Sequence, residues 1–235
     1  MPAFPVTIDD KPCTSEQGET ILSVCKRHDI HIPTMCHFDG LTDVGACRLC
    51  LVEIEGVPKL LPSCTTTAAP NQKIKTRTAK LENYRRMITE LLFSERNHVC
   101  AVCIANGNCE LQDMGYAVGM DHVRYPYLYP PCDADASHQD FIQDDNRCIL
   151  CTRCVRVCSE VEGAHTWDIM GRGIESRLIS DYNQPWGESD TCTSCGKCVD
   201  VCPTGALWPK DANQGFLRKR PLLVSQLVAK RKVRS

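Results

Sequence analysis

The chain has 235 residues, a formal charge of −2 and 18 cysteines. A charge this close to zero excludes a global electrostatic pull toward nucleic acid or a membrane surface. The opening MPAFPVTIDDKPC has no basic or apolar signal-peptide region, and no apolar stretch approaches a membrane span, so the expectation is a cytoplasmic protein whose reduced thiols act as metal ligands rather than disulfides.

In chain order, FPVTIDDKPCTSE alternates around a two-residue turn placed at Asp10-Lys11 and reads as a β-hairpin. Ile21, Leu22 and Cys25 then recur at helical spacing. A first cysteine group follows: Cys36, Cys47, Cys50 and Cys64, at C-x10-C-x2-C-x13-C. Within it, CLVEIEGVPKLLPSC is a strand, a turn at Glu55-Gly56 and a second extended piece. The segment TAKLENYRRMITELLFSERN predicts a helix capped by Thr78, with Leu81, Tyr84, Ile88, Leu91 and Leu92 as its apolar packing face. Next come His98 and a second group, Cys100, Cys103 and Cys109. The stretch from Gly115 to Phe141, rich in Tyr, Pro and Asp, reads as an extended linker.

Two runs at identical spacing complete the set: Cys148, Cys151, Cys154, Cys158, then Cys192, Cys195, Cys198, Cys202, the last followed by proline. From Phe216 to Ser235 there are seven basic residues and no acidic one; the bases flank the apolar Leu222–Val228, as in a solvated or partner-docking helix. Cys13, Cys25 and Cys132 belong to no group and read as small, partly buried apolar side chains.

The repeated run carries the most specific chemistry. An iron–sulfur cubane offers four iron corners, each needing a soft anionic ligand. Three cysteines at x2 spacing wrap one loop around three corners, with backbone N–H groups turned toward the sulfides. The fourth, expected to start a helix and face away, serves the other cluster in two-cluster ferredoxins. This predicts crossed ligation: Cys148, Cys151, Cys154 and Cys202 on one [4Fe–4S] cluster, and Cys192, Cys195, Cys198 and Cys158 on another. The competing ion is zinc, which needs four ligands and has no use for the third cysteine of each run. Around the first group, the β-α-β surroundings and the GACRLC loop favour a [2Fe–2S] cluster, Gly45 and Ala46 allowing close backbone approach.

The four groups in this order resemble the large iron–sulfur subunit of respiratory complex I, and also iron-only hydrogenases and some formate dehydrogenases. A short chain with ERNHVCAVCIANGNCELQDMG, NRCILCTRCVRVC and NQPWG closely resembles the diaphorase iron–sulfur subunits of NAD-linked bidirectional [NiFe]-hydrogenases. The resemblance implies an α+β chain: a β-grasp [2Fe–2S] domain at 1–78, a helical His/Cys3 [4Fe–4S] segment at 79–120, a linker at 121–145, a two-cluster bacterial-ferredoxin-like domain at 146–210 and a basic tail at 211–235. It implies that Cys36, Cys47, Cys50 and Cys64 hold the [2Fe–2S] cluster, and that a histidine joins Cys100, Cys103 and Cys109 on a third [4Fe–4S] cluster. The wider pattern is His-x3-Cys, a position held here by Arg96; the hydrogenase branch shortens it to His-x-Cys, which puts the ligand role on His98. His31, His37, His122, His138 and His165 have no comparable neighbourhood.

Neither G-x-G-x-x-G nor a P-loop occurs, so no NAD or flavin site and no catalytic residue is expected here. FMN, NAD and the [NiFe] centre would reside on partners: an NADH-oxidising flavoprotein and the hydrogenase small and large subunits. Two further readings use the same clusters: a relay in an NAD-linked formate dehydrogenase or complex I-like enzyme, and a free ferredoxin-like carrier. The basic tail alone suggests a nucleic-acid protein.

Overall fold

The computed structural model describes residues 3–214, 217, 219 and 221–232. Arg218, Arg220 and Arg234 of the basic tail lie outside the described residues. Two compact units divide the chain, residues 1–37 with 43–89, and residues 38–42 with 90–235.

The first unit is a five-stranded sheet with one helix. Its strands are β1 (Ala3–Ile8), β2 (Lys11–Glu16), β3 (Leu51–Ile54), β4 (Val57–Pro62) and β5 (Lys73–Lys75), in the order β2-β1-β5-β3-β4. β1 pairs parallel with β5 and the other pairings are antiparallel. Because Ile8 pairs with Lys11, the first turn is Asp9-Asp10, one residue before the predicted position. Both aspartates have positive φ, 48° and 65°, as a type I′ turn requires. A short polar side chain tolerates that region better than lysine does. The second hairpin turns at Glu55-Gly56 as expected, Ile54 pairing with Val57.

Helix α1 (Ile21–Arg27) is capped by Thr20, whose hydroxyl accepts from Ser23 N–H at 3.2 Å. It buries Ile21, Leu22, Val24 and Cys25 against Val6, Ile8, Val52, Ile54 and Ile74. Cys13 and Cys25 are buried members of this core. The fold is a β-grasp.

Helix α2 (Ala79–Glu95) starts where predicted, with Thr78 Oγ1 accepting from Leu81 N–H at 3.2 Å. Its buried face differs from the expected one. Tyr84 and Leu91 are exposed, Ile88 and Leu92 are half-buried, and Arg85, Thr89, Glu90 and Ser94 are buried beside Leu81 and Phe93. Polar residues take the inner positions because each finds a partner. Arg85 donates to the Leu49 and Leu51 carbonyls at 3.1 and 3.0 Å, Thr89 to the Arg85 carbonyl, and Glu90 pairs with Arg124 at 2.8 Å.

The second unit contains α3 (Glu110–Ala117), β6 (Ala134–Asp135), β7 (Phe141–Asp144), α4 (Arg153–Arg156), β8 (Trp167–Met170), β9 (Arg177–Ser180), α5 (Lys197–Val201), β10 (Leu207–Pro209) and α6 (Pro221–Lys232). β8 and β9 form a hairpin, and β10, β7 and β6 a small sheet. Part of the expected linker is therefore folded: Phe141 pairs with Pro209 and Asp144 with Ala134. The core gathers Val157, Val161, Trp167, Leu178, Trp186, Val199, Val201 and Leu207. Val224 and Val228 of α6 are buried in the same core, so this stretch packs on its own chain, and a Cβ at Gly40 (φ 93°) would overlap Val228. Among the described residues no helix is long and apolar enough to cross a membrane.

Candidate metal centres

In the first unit, the loop after α1 and the β4 end bring the four predicted thiols together. Cys50 and Cys64 Sγ lie 3.4 Å apart, and Cys47 N–H donates to Cys36 Sγ at 3.5 Å. The hydrogen bond within each pair lowers Cys47 and Cys50 to about 6 and raises Cys36 and Cys64. Two thiol pairs match the two irons of a [2Fe–2S] rhomb. Gly45, with φ 62°, supplies the left-handed turn just before Cys47. Nothing in the sequence singles out Arg85, yet its two hydrogen bonds hold the main chain on either side of Cys50. Its only signal there is a basic residue between apolar positions of α2.

The second unit holds three further cavities. The first is lined by His98, Cys100, Cys103 and Cys109, with Phe93, Leu111, Arg147 and Gly205, around about 280 Å³ free of protein atoms. The His98 Nε2 is buried without a hydrogen-bond partner. A buried ring nitrogen with no hydrogen-bond partner, on a residue that lines the cavity, is one that a metal can take as a ligand. Burial, then Arg147 and Arg96, lower His98 to about 4, so the ring is neutral near pH 7. Arg96, at the His-x3-Cys position, instead bonds Ser176 O and, at 3.2 Å, Cys132 Sγ. Arg96 and Cys132 line a separate, larger open groove that contains none of the candidate ligands. Gly205 is required for packing: a Cβ there would stand 2.7 Å from Cys103 Sγ.

The next cavity is lined by Cys148, Cys151, Cys154 and Cys202. The last is lined by Cys192, Cys195, Cys198 and Cys158. Each run thus contributes three cysteines to one cavity and the fourth to the other. The loops share a backbone device: Leu150 and Thr152 in the first run, and Ser194 and Gly196 at the equivalent positions of the second, have φ of 51°, 59°, 52° and 70°. Alternating handedness turns successive N–H groups inward as an anion nest. The fourth cysteine does not start a helix as expected. α4 and α5 begin just before the third cysteine; Cys158 sits in a π-helical turn continuing α4 and Cys202 caps α5. The reason is reach: four residues of helix rise about 6 Å, enough to move from one cavity to the next.

Burial raises Cys148 and Cys154 well above the usual thiol range and Cys151 and Cys109 to about 11. Four thiolates around a buried void persist only with a compensating cationic core, which an iron–sulfur cluster supplies. The cavities share walls: Thr204 lines both the His98 and Cys148 cavities, and α4 and α5 connect the latter to the Cys192 cavity. Cys195 is exposed, whereas the other seventeen cysteines are buried or half-buried.

Family models match along the chain. Residues 3–79 match a 2Fe-2S iron-sulfur cluster binding domain, 85–124 the NADH-ubiquinone oxidoreductase-G iron-sulfur binding region, and 140–208 the ferredoxin-like domain of NADH-quinone oxidoreductase subunit 3. The NADP-reducing hydrogenase subunit HndD of Solidesulfovibrio fructosivorans is 35% identical over 215 residues, covering 88% of this chain and 36% of that protein. The 75 kDa subunit of the NADH-ubiquinone oxidoreductase of Reclinomonas americana is 35% identical over 206 residues, covering 87% and 29%. The chain thus spans about a third of the length of these two relatives. By contrast, the gamma subunit of the NAD-reducing hydrogenase HoxS of Cupriavidus necator is 31% identical over 87% of this chain and 86% of its own length. A chain in the crystal structure of an NAD+-reducing [NiFe]-hydrogenase in the H2-reduced state superposes with a TM-score of 0.85 at 35% identity, covering 90% of this chain and 89% of that one. The chain belongs to the iron–sulfur subunit family represented by the gamma subunit of NAD-reducing hydrogenase.

Proposed function

We propose that this chain is the electron-relay subunit of an NAD-linked hydrogenase, standing between a flavoprotein that handles NAD(H) and a [NiFe] module that handles hydrogen. It holds one [2Fe–2S] and three [4Fe–4S] clusters, each taking up and releasing single electrons when bound. The ligands are Cys36, Cys47, Cys50 and Cys64; His98, Cys100, Cys103 and Cys109; Cys148, Cys151, Cys154 and Cys202; and Cys192, Cys195, Cys198 and Cys158. Residues 1–78, 79–120 and 146–210 carry them as successive domains, with FMN, NAD and the nickel site on the partners. The observation that carries this reading is the set of cavities in the second unit, each lined by four of the named side chains.

Thiolates and one neutral imidazole bind here and do no acid–base work; inward-turned N–H groups and burial set how readily each site accepts charge. Anaerobic purification of the native complex tests the reading twice. Iron and sulfide analysis should approach about 14 irons per chain, with negligible zinc. A count near about eight, with zinc present, would remove the two N-terminal assignments. Identification of co-purifying chains should find the flavoprotein and the [NiFe] subunits; a molybdenum- or tungsten-binding chain in their place would overturn the hydrogenase reading.

A further inference from the structure

The Cys192 cavity differs from the other two in its wall. Trp186 and Trp167 are 1% and 3% exposed, and their rings meet edge to face at 4.7 Å. Trp186 also stacks on Phe141 at 5.5 Å and packs on His138 at 4.7 Å. The backbone fixes this ring firmly. Trp186 N–H donates to Asp135 Oδ2 at 2.6 Å and Gly187 N–H to Ser137 Oγ at 2.8 Å; a Cβ at Gly187 would collide with the Ser137 carbonyl. The Pro-Trp-Gly sequence is thus a device for driving one indole into the core. Its polar edge has a partner there: Nε1–H donates to Cys192 Sγ at 3.2 Å. Trp167 lines the same cavity, and the Thr166 N–H donates to Cys158 Sγ at 3.3 Å. No tryptophan lines the Cys148 or His98 cavity.

Resting on the assignment of Cys158, Cys192, Cys195 and Cys198 to one cluster, we propose that the indole N–H of Trp186 donates a hydrogen bond to its Cys192 sulfur and raises its reduction potential. Reduction adds negative charge that spreads onto the sulfurs. An N–H dipole aimed at a sulfur in a dry pocket stabilises the reduced form more than the oxidised one. Trp186 acts through the ligand Cys192 and is a positioning residue.

The test uses the complex purified anaerobically, with redox titration followed by electron paramagnetic resonance. Trp186→Phe keeps an aromatic ring and deletes the donor. The midpoint of one [4Fe–4S] cluster should move to a more negative potential, iron content and the other midpoints staying fixed. Trp208→Phe, on β10 and outside all three cavities, should move none. A second measurement stands even if Trp186→Phe loses iron: unsubstituted protein with indole-15N tryptophan should give a 15N coupling in the pulsed spectrum of that reduced cluster, and an exchangeable proton coupling lost in D2O. An unchanged midpoint in Trp186→Phe, or no 15N coupling from a cluster that is present, overturns the proposal. An unsubstituted protein lacking that cluster defeats the ligand assignment itself, and the proposal with it.

Discussion

A neutral imidazole in place of a thiolate makes a cluster one unit less negative in either oxidation state, so adding an electron costs less. His98, proposed as the fourth ligand, has its Nε2 buried and unpartnered in the cavity that three thiols also line. His98→Cys should keep a [4Fe–4S] cluster and lower its potential, slowing electron passage without abolishing assembly. His98→Ala should make that cluster labile, whereas His122→Ala, at a residue paired with Asp121 at the surface, should leave it intact. Redox titration with electron paramagnetic resonance on the three variants checks this; a wild-type signal and midpoint in His98→Ala would place the fourth ligand elsewhere. The cysteines are legible in the sequence because ligand spacing is local and chemically costly to satisfy otherwise. His138 is not: no ligand neighbours it along the chain, yet it lies 3.9 Å from Cys192 Sγ and bonds Ser194 at 3.1 Å. The fold, rather than the local sequence, brings it to a cysteine 54 residues away along the chain.

Elements set by local pattern are readable, and those set by distant partners are not. The two hairpins of the first unit and the start of α2 follow from turn and capping chemistry. The buried face of α2 does not follow from hydrophobic spacing, because Arg85 and Glu90 are inside on account of partners 34 to 36 residues away. β7 is four residues long and pairs with β10 across more than sixty residues, so its sequence carries no strand signal strong enough to distinguish it from a linker. Arg85 gives the prediction at this scale. Arg85→Met retains much of the apolar stem but leaves the Leu49 and Leu51 carbonyls without their donor, a loss of about 1–3 kcal/mol. The loop carrying Cys47 and Cys50 should loosen. The [2Fe–2S] signal should decay faster under air or chelator, while the [4Fe–4S] signals persist; equal decay of all signals would mean Arg85 supports general stability rather than this loop.

At the scale of the whole molecule, the chain is organised around the places where thiols gather rather than around a single apolar core. One unit frames four thiols with a sheet and a helix; the other arranges twelve candidate ligands around three voids and closes part of its core with α6. In the proposed relay, hydride chemistry belongs to the flavoprotein partner and electrons reach this chain one at a time. The isolated, cluster-loaded chain should therefore bind no flavin and show no change in cluster absorbance on anaerobic mixing with NADH. Dithionite should bleach it, which proves the clusters competent. Adding the flavoprotein partner with its FMN should then make NADH an effective reductant, and omitting FMN from that partner should abolish the effect. Rapid bleaching by NADH alone in a flavin-free preparation would mean that this chain carries a nucleotide site of its own, and the division of labour between relay and hydride-handling partner would fall.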